Sequence, residues 1–221
     1  MRALSNEFYT SREKFLEERD RVFAPMWVCV GFASDVPNPG DVKPLEFMEL
    51  PLLLVRTEDH ALRVFHNVCR HRGHVLVSAS GTLKNAIRCP YHSWTYTLEG
   101  SLIRTPHIGG YGIHQVENFD RSQFGLRSIK SALWHDLIFI NLDGAAPAFE
   151  EFIAPLARRW APLWGDSGAS LLRLPTSHAN IRLDLKANWK LAVENYLEAY
   201  HLPDRKSTRL NSSHQIISYA V

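Results

Sequence analysis

The sequence predicts an α+β protein, in which an antiparallel β-domain follows an N-terminal helical segment and leads into the start of a second, α+β unit. Three patterns predict it. Short apolar runs separated by turn-rich pieces fill residues 27 to about 142. Helical spacing precedes that stretch and returns after it. An apolar share of 45% against 22% charged residues over 221 positions is that of an ordinary globular chain with a real core.

The first helix is marked by Thr10-Ser11-Arg12-Glu13, which has capping-box spacing, followed by Phe15, Leu16, Arg19, Val22 and Phe23 at helical intervals. Pro25 should stop it. The apolar runs at 52–55, 62–65 and 137–140 read as strands, punctuated by Pro37-Asn38-Pro39-Gly40 and His107-Ile108-Gly109-Gly110. After Pro147 a helix is expected through Phe152, Leu156, Trp160 and Leu163. A β-like run at 179–185 then leads to Asn188, a natural N-cap for a helix reaching roughly His201, with Pro203 beyond it. The expected segments are a helical piece at 1–40, the β-domain at 41–146, the start of a further domain at 147–203, and a tail at 204–221.

The formal charge is +2, and the excess lies in the tail, where Arg205, Lys206 and Arg209 face only Asp204. The rest of the chain balances to zero, so neither nucleic acid nor an anionic membrane is called for as a partner. Residues 1–14 hold no apolar run of the signal-peptide kind, and no stretch is long enough to span a bilayer. A cytoplasmic location is expected. The three cysteines are too few for a disulfide framework and suit a reducing compartment. Cys29, in Trp27-Val28-Cys29-Val30, reads as a packed strand thiol. Cys69 and Cys89 are left to explain.

Cys69-Arg70-His71 is followed, after seventeen residues, by Cys89-Pro90-Tyr91-His92. Each loop offers one thiolate and one imidazole. That division suits a [2Fe–2S] cluster with both cysteines on one iron and both histidines on the other. Imidazoles in place of two thiolates remove negative charge and raise the potential. Each imidazole also keeps a second nitrogen through which a proton can follow the electron. The alternative is a structural zinc in a Cys₂His₂ cage, although zinc sites more often place two thiolates on one knuckle.

Cys69-Arg70-His71-Arg72-Gly73-His74 and Cys89-Pro90-Tyr91-His92-Ser93-Trp94-Thr95-Tyr96 resemble the cluster loops of Rieske non-haem iron ring-hydroxylating oxygenases. Respiratory-type Rieske proteins add a cysteine to each loop and join the two by a disulfide. The matching positions here are His74 and Tyr91, which favours the oxygenase branch. His74 needs no special role.

A Rieske ferredoxin that only carries electrons is the rival class. Against it, the segment from Asn188 to His201 is similar to the opening of the oxygenase catalytic domain. Glu194, Glu198 and His201 fall at i, i+4 and i+7 on one helix face, a spacing that alone would suit a solvated stripe. The resemblance implies that His201 is the first histidine of a two-His, one-carboxylate site for mononuclear Fe(II). It makes Glu198 the relay carboxylate to a cluster histidine of a neighbouring subunit, and it places Asn195 near the iron without a firm bond. Many aromatic-ring members have Asp at the relay position. Glutamate resembles members acting on quaternary ammonium compounds.

The resemblance implies an α-subunit fed from NAD(P)H through a reductase, directly or by way of a ferredoxin. That subunit would use O₂ on a small organic substrate and assemble as a homotrimer or an α/β hetero-oligomer. It covers residues 7 to 203. The family's second iron histidine would fall at Lys206, and its aspartate ligand further downstream, so the iron site is expected to be incomplete in this chain. Residues 204–221 back-translate without a break into a common short-read library adapter, and are expected to be foreign to the protein.

Overall fold

The structure, a computed structural model, describes residues 4–164 and 184–197. The expected β-like run, apart from its last two residues, lies outside the described residues, as do Glu198, His201 and the tail.

Helix α1 (Glu7–Thr10) is one turn and α2 (Arg12–Glu18) follows it. The cap falls one residue later than expected: the Ser11 hydroxyl accepts from the Lys14 amide at 3.3 Å, while Thr10 bonds back to Asn6. A wide π-turn over Arg19–Phe23 ends the helix just before Pro25.

Strand β1 (Val28–Phe32), in the β-like stretch expected from Trp27 onward although ahead of the boundary set at residue 41, pairs with β10 (Leu137–Asn141) at one edge of a seven-stranded antiparallel sheet. Next in that sheet come β9 (Ser128–Trp134), β4 (Leu62–His66), β3 (Leu50–Arg56), β2 (Asp41–Phe47) and the short β5 (Gly81–Thr82). Strands β6 (Ala86–Arg88), β7 (Thr95–Thr97) and β8 (Leu102–Arg104) form a second sheet of three.

Strand β3 shows why its run is apolar throughout. Side chains alternate between faces, so Leu53 and Val55 enter the core shared with the small sheet, while Leu52 and Leu54 enter the core under α2. All four are fully buried. The expected turn at residues 37–40 forms, and Gly40 is required there. Its φ is +85°, and a Cβ would stand 2.3 Å from the Leu83 carbonyl oxygen. Cys29 does lie on a strand, but on its exposed face. Strand alternation sets it opposite Val28 and Val30, which pack toward the core under α2.

Helix α3 (Phe149–Trp164) lies where a helix was expected, and the residues that signalled it share one face with its buried positions. Phe149 and Ile153 bury against Trp27 and Phe139, whereas Phe152, Leu156, Trp160 and Leu163 are exposed. Helix α4 (Trp189–Leu197) begins at the expected cap, where Asn188 Oδ1 accepts from the Lys190 amide at 3.1 Å.

Candidate iron–sulfur site

Two loops project side by side, one from β4 and one between β6 and β7. In the first, the Cys69 amide donates to the His74 carbonyl at 2.8 Å, and the Gly73 amide donates to the Cys69 carbonyl at 3.0 Å. In the second, Cys89 donates to Trp94 at 2.8 Å and Ser93 to Cys89 at 3.0 Å. Both loops turn through a left-handed residue four places after the cysteine, Gly73 at φ +71° and Ser93 at φ +59°. These knuckles satisfy the backbone internally and leave the side chains of positions 69, 71, 89 and 92 to converge.

The two thiols form the rear of the site. Cys69 and Cys89 are each 2% exposed and adjacent to one another. Burial pushes the Cys69 thiol up, opposed by the Tyr96 hydroxyl 3.3 Å from its sulfur. A bound metal overrides that cost, because a coordinating thiol is deprotonated outright. The Tyr96 oxygen accepts from the Arg70 amide at 3.0 Å. Its own proton is therefore free to reach the Cys69 sulfur. Burial, and then the bond to Cys69, raise the Tyr96 hydroxyl far above its ordinary value.

The imidazoles form the front. The His71 ring lies 4.7 Å from that of His92 and is stacked on Trp94 at 4.7 Å and 8°. Burial, followed by the charges of His92 and Arg72, lowers the His71 pKa and holds the ring neutral, the form that ligates. The Tyr91 ring lies 3.7 Å from that of His92. The Nδ1 atom of His92 is buried and has no hydrogen-bond partner. A buried imidazole nitrogen without a proton partner is what a missing iron bond leaves behind. Two thiols behind two imidazoles fit a two-iron cluster.

His74 is exposed and bonds to its neighbour's carbonyl, with its ring 5.7 Å from Tyr91. The two positions where the respiratory type carries a disulfide are thus neighbours here. Asn195 is exposed on α4. Sequence reasoning missed three supports: Trp94, Tyr96 and the buried Asn67, whose amide exchanges two bonds with Val77 across the base of the first loop, at 2.7 and 3.0 Å. Trp94 and Tyr96 are two apart at the start of a strand, so period-2 alternation would have placed both inside.

Paired Cys–His loops over a small antiparallel sheet define a Rieske-type iron–sulfur domain, and residues 26–120 match the family described as Rieske [2Fe-2S] domain. Residues 172–205 match the Ring hydroxylating alpha subunit (catalytic domain). The chain thus joins a Rieske [2Fe–2S] domain to a stretch similar to the catalytic domain of ring-hydroxylating oxygenase α-subunits, a combination that implies a [2Fe–2S] cluster and a catalytic mononuclear iron. It is 36% identical over 194 residues to the carnitine monooxygenase oxygenase subunit of Acinetobacter pittii, covering 88% of this chain and 50% of that protein. It is 32% identical over 200 residues to the glycine betaine monooxygenase oxygenase subunit of Pseudomonas aeruginosa, covering 90% and 43%. A solved quaternary ammonium Rieske monooxygenase, described for carnitine oxidation by gut microbiota and inter-subunit electron transfer, superposes with TM-score 0.74 at 35% identity. That match covers 90% of this chain and 52% of the other. The chain spans about half the length of the curated relatives it matches.

Proposed function

We propose that this chain supplies the cluster domain and the first iron-site helix of a Rieske oxygenase α-subunit acting on a small quaternary ammonium compound. Cys69 and Cys89 hold one iron of the [2Fe–2S] cluster, and His71 and His92 hold the other. When bound, the cluster carries single electrons and the mononuclear iron offers O₂ and substrate a common site. Trp94 orients the His71 ring, and Tyr96 donates to the Cys69 sulfur. His201 is the proposed histidine ligand to the mononuclear iron, Glu198 the relay toward a cluster histidine of a neighbouring subunit, and Asn195 a neighbour of that iron.

Electrons would come from NAD(P)H through a reductase, with or without a ferredoxin, to a homotrimer or α/β hetero-oligomer in the cytoplasm. Among the described residues no helix is long and apolar enough to cross a membrane. The substrate class rests on Glu198 and on relatives named for carnitine and glycine betaine. A ferredoxin-type carrier is the alternative, and the match at 172–205 to a catalytic domain weighs against it.

The observation that carries the proposal is the pair of buried thiols behind two imidazoles, with His92 Nδ1 left without a partner. Protein purified anaerobically should be brown, with about two iron and two acid-labile sulfide per chain and a midpoint near the low end of the Rieske range, about −150 mV. Cys89→Ser should abolish the colour. One zinc without sulfide would falsify the cluster assignment. The whole oxygenase should consume O₂ with reductase and a trimethylammonium substrate; an absence of uptake with every such substrate overturns the substrate class, and an absence with aromatic substrates as well leaves the electron carrier.

A further inference from the structure

Glu18 stands at the end of α2, 171 positions before Trp189, yet its carboxylate accepts three hydrogen bonds from the first turn of α4. The Trp189 indole donates to Oε2 at 2.9 Å, and Lys190 Nζ donates to Oε1 at 2.6 Å and to Oε2 at 2.7 Å. The Lys190 and Glu18 side chains are only 8% and 13% exposed. A buried pair of this kind adds little net stability but is costly to break, because either charge alone is stranded. Its effect is to specify an arrangement.

The packing around it acts in the same direction. The Phe23 ring meets Trp189 edge-on at 4.8 Å and, on its other side, Phe47 of β2 at 5.8 Å. Further along α4, Glu194 accepts from the Tyr9 hydroxyl at 2.7 Å. The π-turn makes the double grip on Trp189 feasible. In an α-helix, residues turn by about 100° each, so Glu18 and Phe23 would stand roughly 140° apart. The wide turn, closed by the Ala24 amide on the Arg19 carbonyl at 2.8 Å, brings positions five apart toward one side. Carboxylate and ring then both reach one indole.

The geometry points to Glu18 as a positioning residue: it latches the first turn of α4 to the β-domain and so sets where Asn195 stands relative to the cluster loops. The latch itself is independent of the oxygenase reading, and its meaning for the mononuclear iron rests on that reading. In cluster-loaded Glu18→Ala, the α4 amides from Leu191 to Leu197 should exchange hydrogen roughly tenfold faster than in wild type. The β3 and β10 amides and the cluster's visible spectrum should not change. Glu18→Gln, which keeps an acceptor for the indole, should fall between. Adding Lys190→Met to Glu18→Ala should recover part of the lost protection, since it removes the stranded charge. Wild-type protection in Glu18→Ala overturns the latch, as does further loss in the double variant. In the whole oxygenase, the Fe(II)–nitrosyl resonance of the mononuclear site should fall at least twofold in Glu18→Ala at constant cluster content. A wild-type oxygenase lacking that resonance overturns the oxygenase reading, while the exchange data alone decide the latch.

Discussion

The two ligand loops share one backbone plan and differ in what stands behind them. In the first, the carbonyl that closes the knuckle belongs to the exposed His74; in the second it belongs to Trp94, 4% exposed and packed edge-on against Phe119 and Phe124. The second loop is anchored by its own side chains and by the strand it enters. The first borrows its anchors, from Asn67 at its base and from Tyr96 of the second loop's strand. Even the His71 ring rests on Trp94. The second loop is therefore the foundation of the site, and damage to it should travel to the first, whereas the reverse should not hold.

The largest break should come from Trp94→Ala, which opens a cavity in the shared core and removes the His71 stack. Destabilisation of about 3–5 kcal/mol is expected in denaturant melts, with cluster lost from the purified protein. A variant that keeps both its stability and its cluster would show the two loops to be independent.

Tyr96→Phe sharpens the comparison, since it removes one oxygen and spares the ring. It leaves the Arg70 amide without a buried acceptor, at about 1–3 kcal/mol. It also removes the bond to the Cys69 sulfur, so the midpoint should move to more negative values because a hydrogen bond to sulfur favours the reduced cluster. Voltammetry reads the potential, and amide exchange should show the Arg70 loop loosened while the Cys89 loop is unchanged.

The left-handed positions test the backbone alone. No atom stands within 4 Å of a Cβ added to Gly73, so Gly73→Ala should cost only the strain of its φ, about 1–2 kcal/mol. Ser93→Gly relieves the equivalent strain but loses the bond from Arg88 to the Ser93 hydroxyl at 2.8 Å, and its thermal midpoint should stay close to wild type. The smallest effect is expected for His74→Ala, an exposed side chain in the borrowed loop, within about 0.5 kcal/mol by the same melts.

Much of the site was legible beforehand because its information is local. Cys69, His71, Cys89 and His92 announce their chemistry by type and spacing, and the short apolar runs announced their strands. Elements went unread where a distant packing partner outweighed local preference. The β2–β3 hairpin turns through Met48 and Glu49, both at positive φ, with neither Gly nor Asn to signal it. Burial of Met48 in the core under α2 offsets that strain. The stripe on α3 gave the correct period and face, but burial along it stops after Ile153, which the spacing did not signal.

By itself the sequence marked the four candidate cluster donors and determined the antiparallel class of their domain, the Asn188 cap and the helix stop before Pro25. Each depends on chemistry or sterics within a few residues. Only the tertiary structure decided that Tyr96 serves Cys69, that Trp94 supports His71, and that Glu18 grips Trp189 and Lys190 from the far end of the chain. Those pairings arise because buried polar groups must find partners wherever packing brings them together, and packing is a property of the whole core.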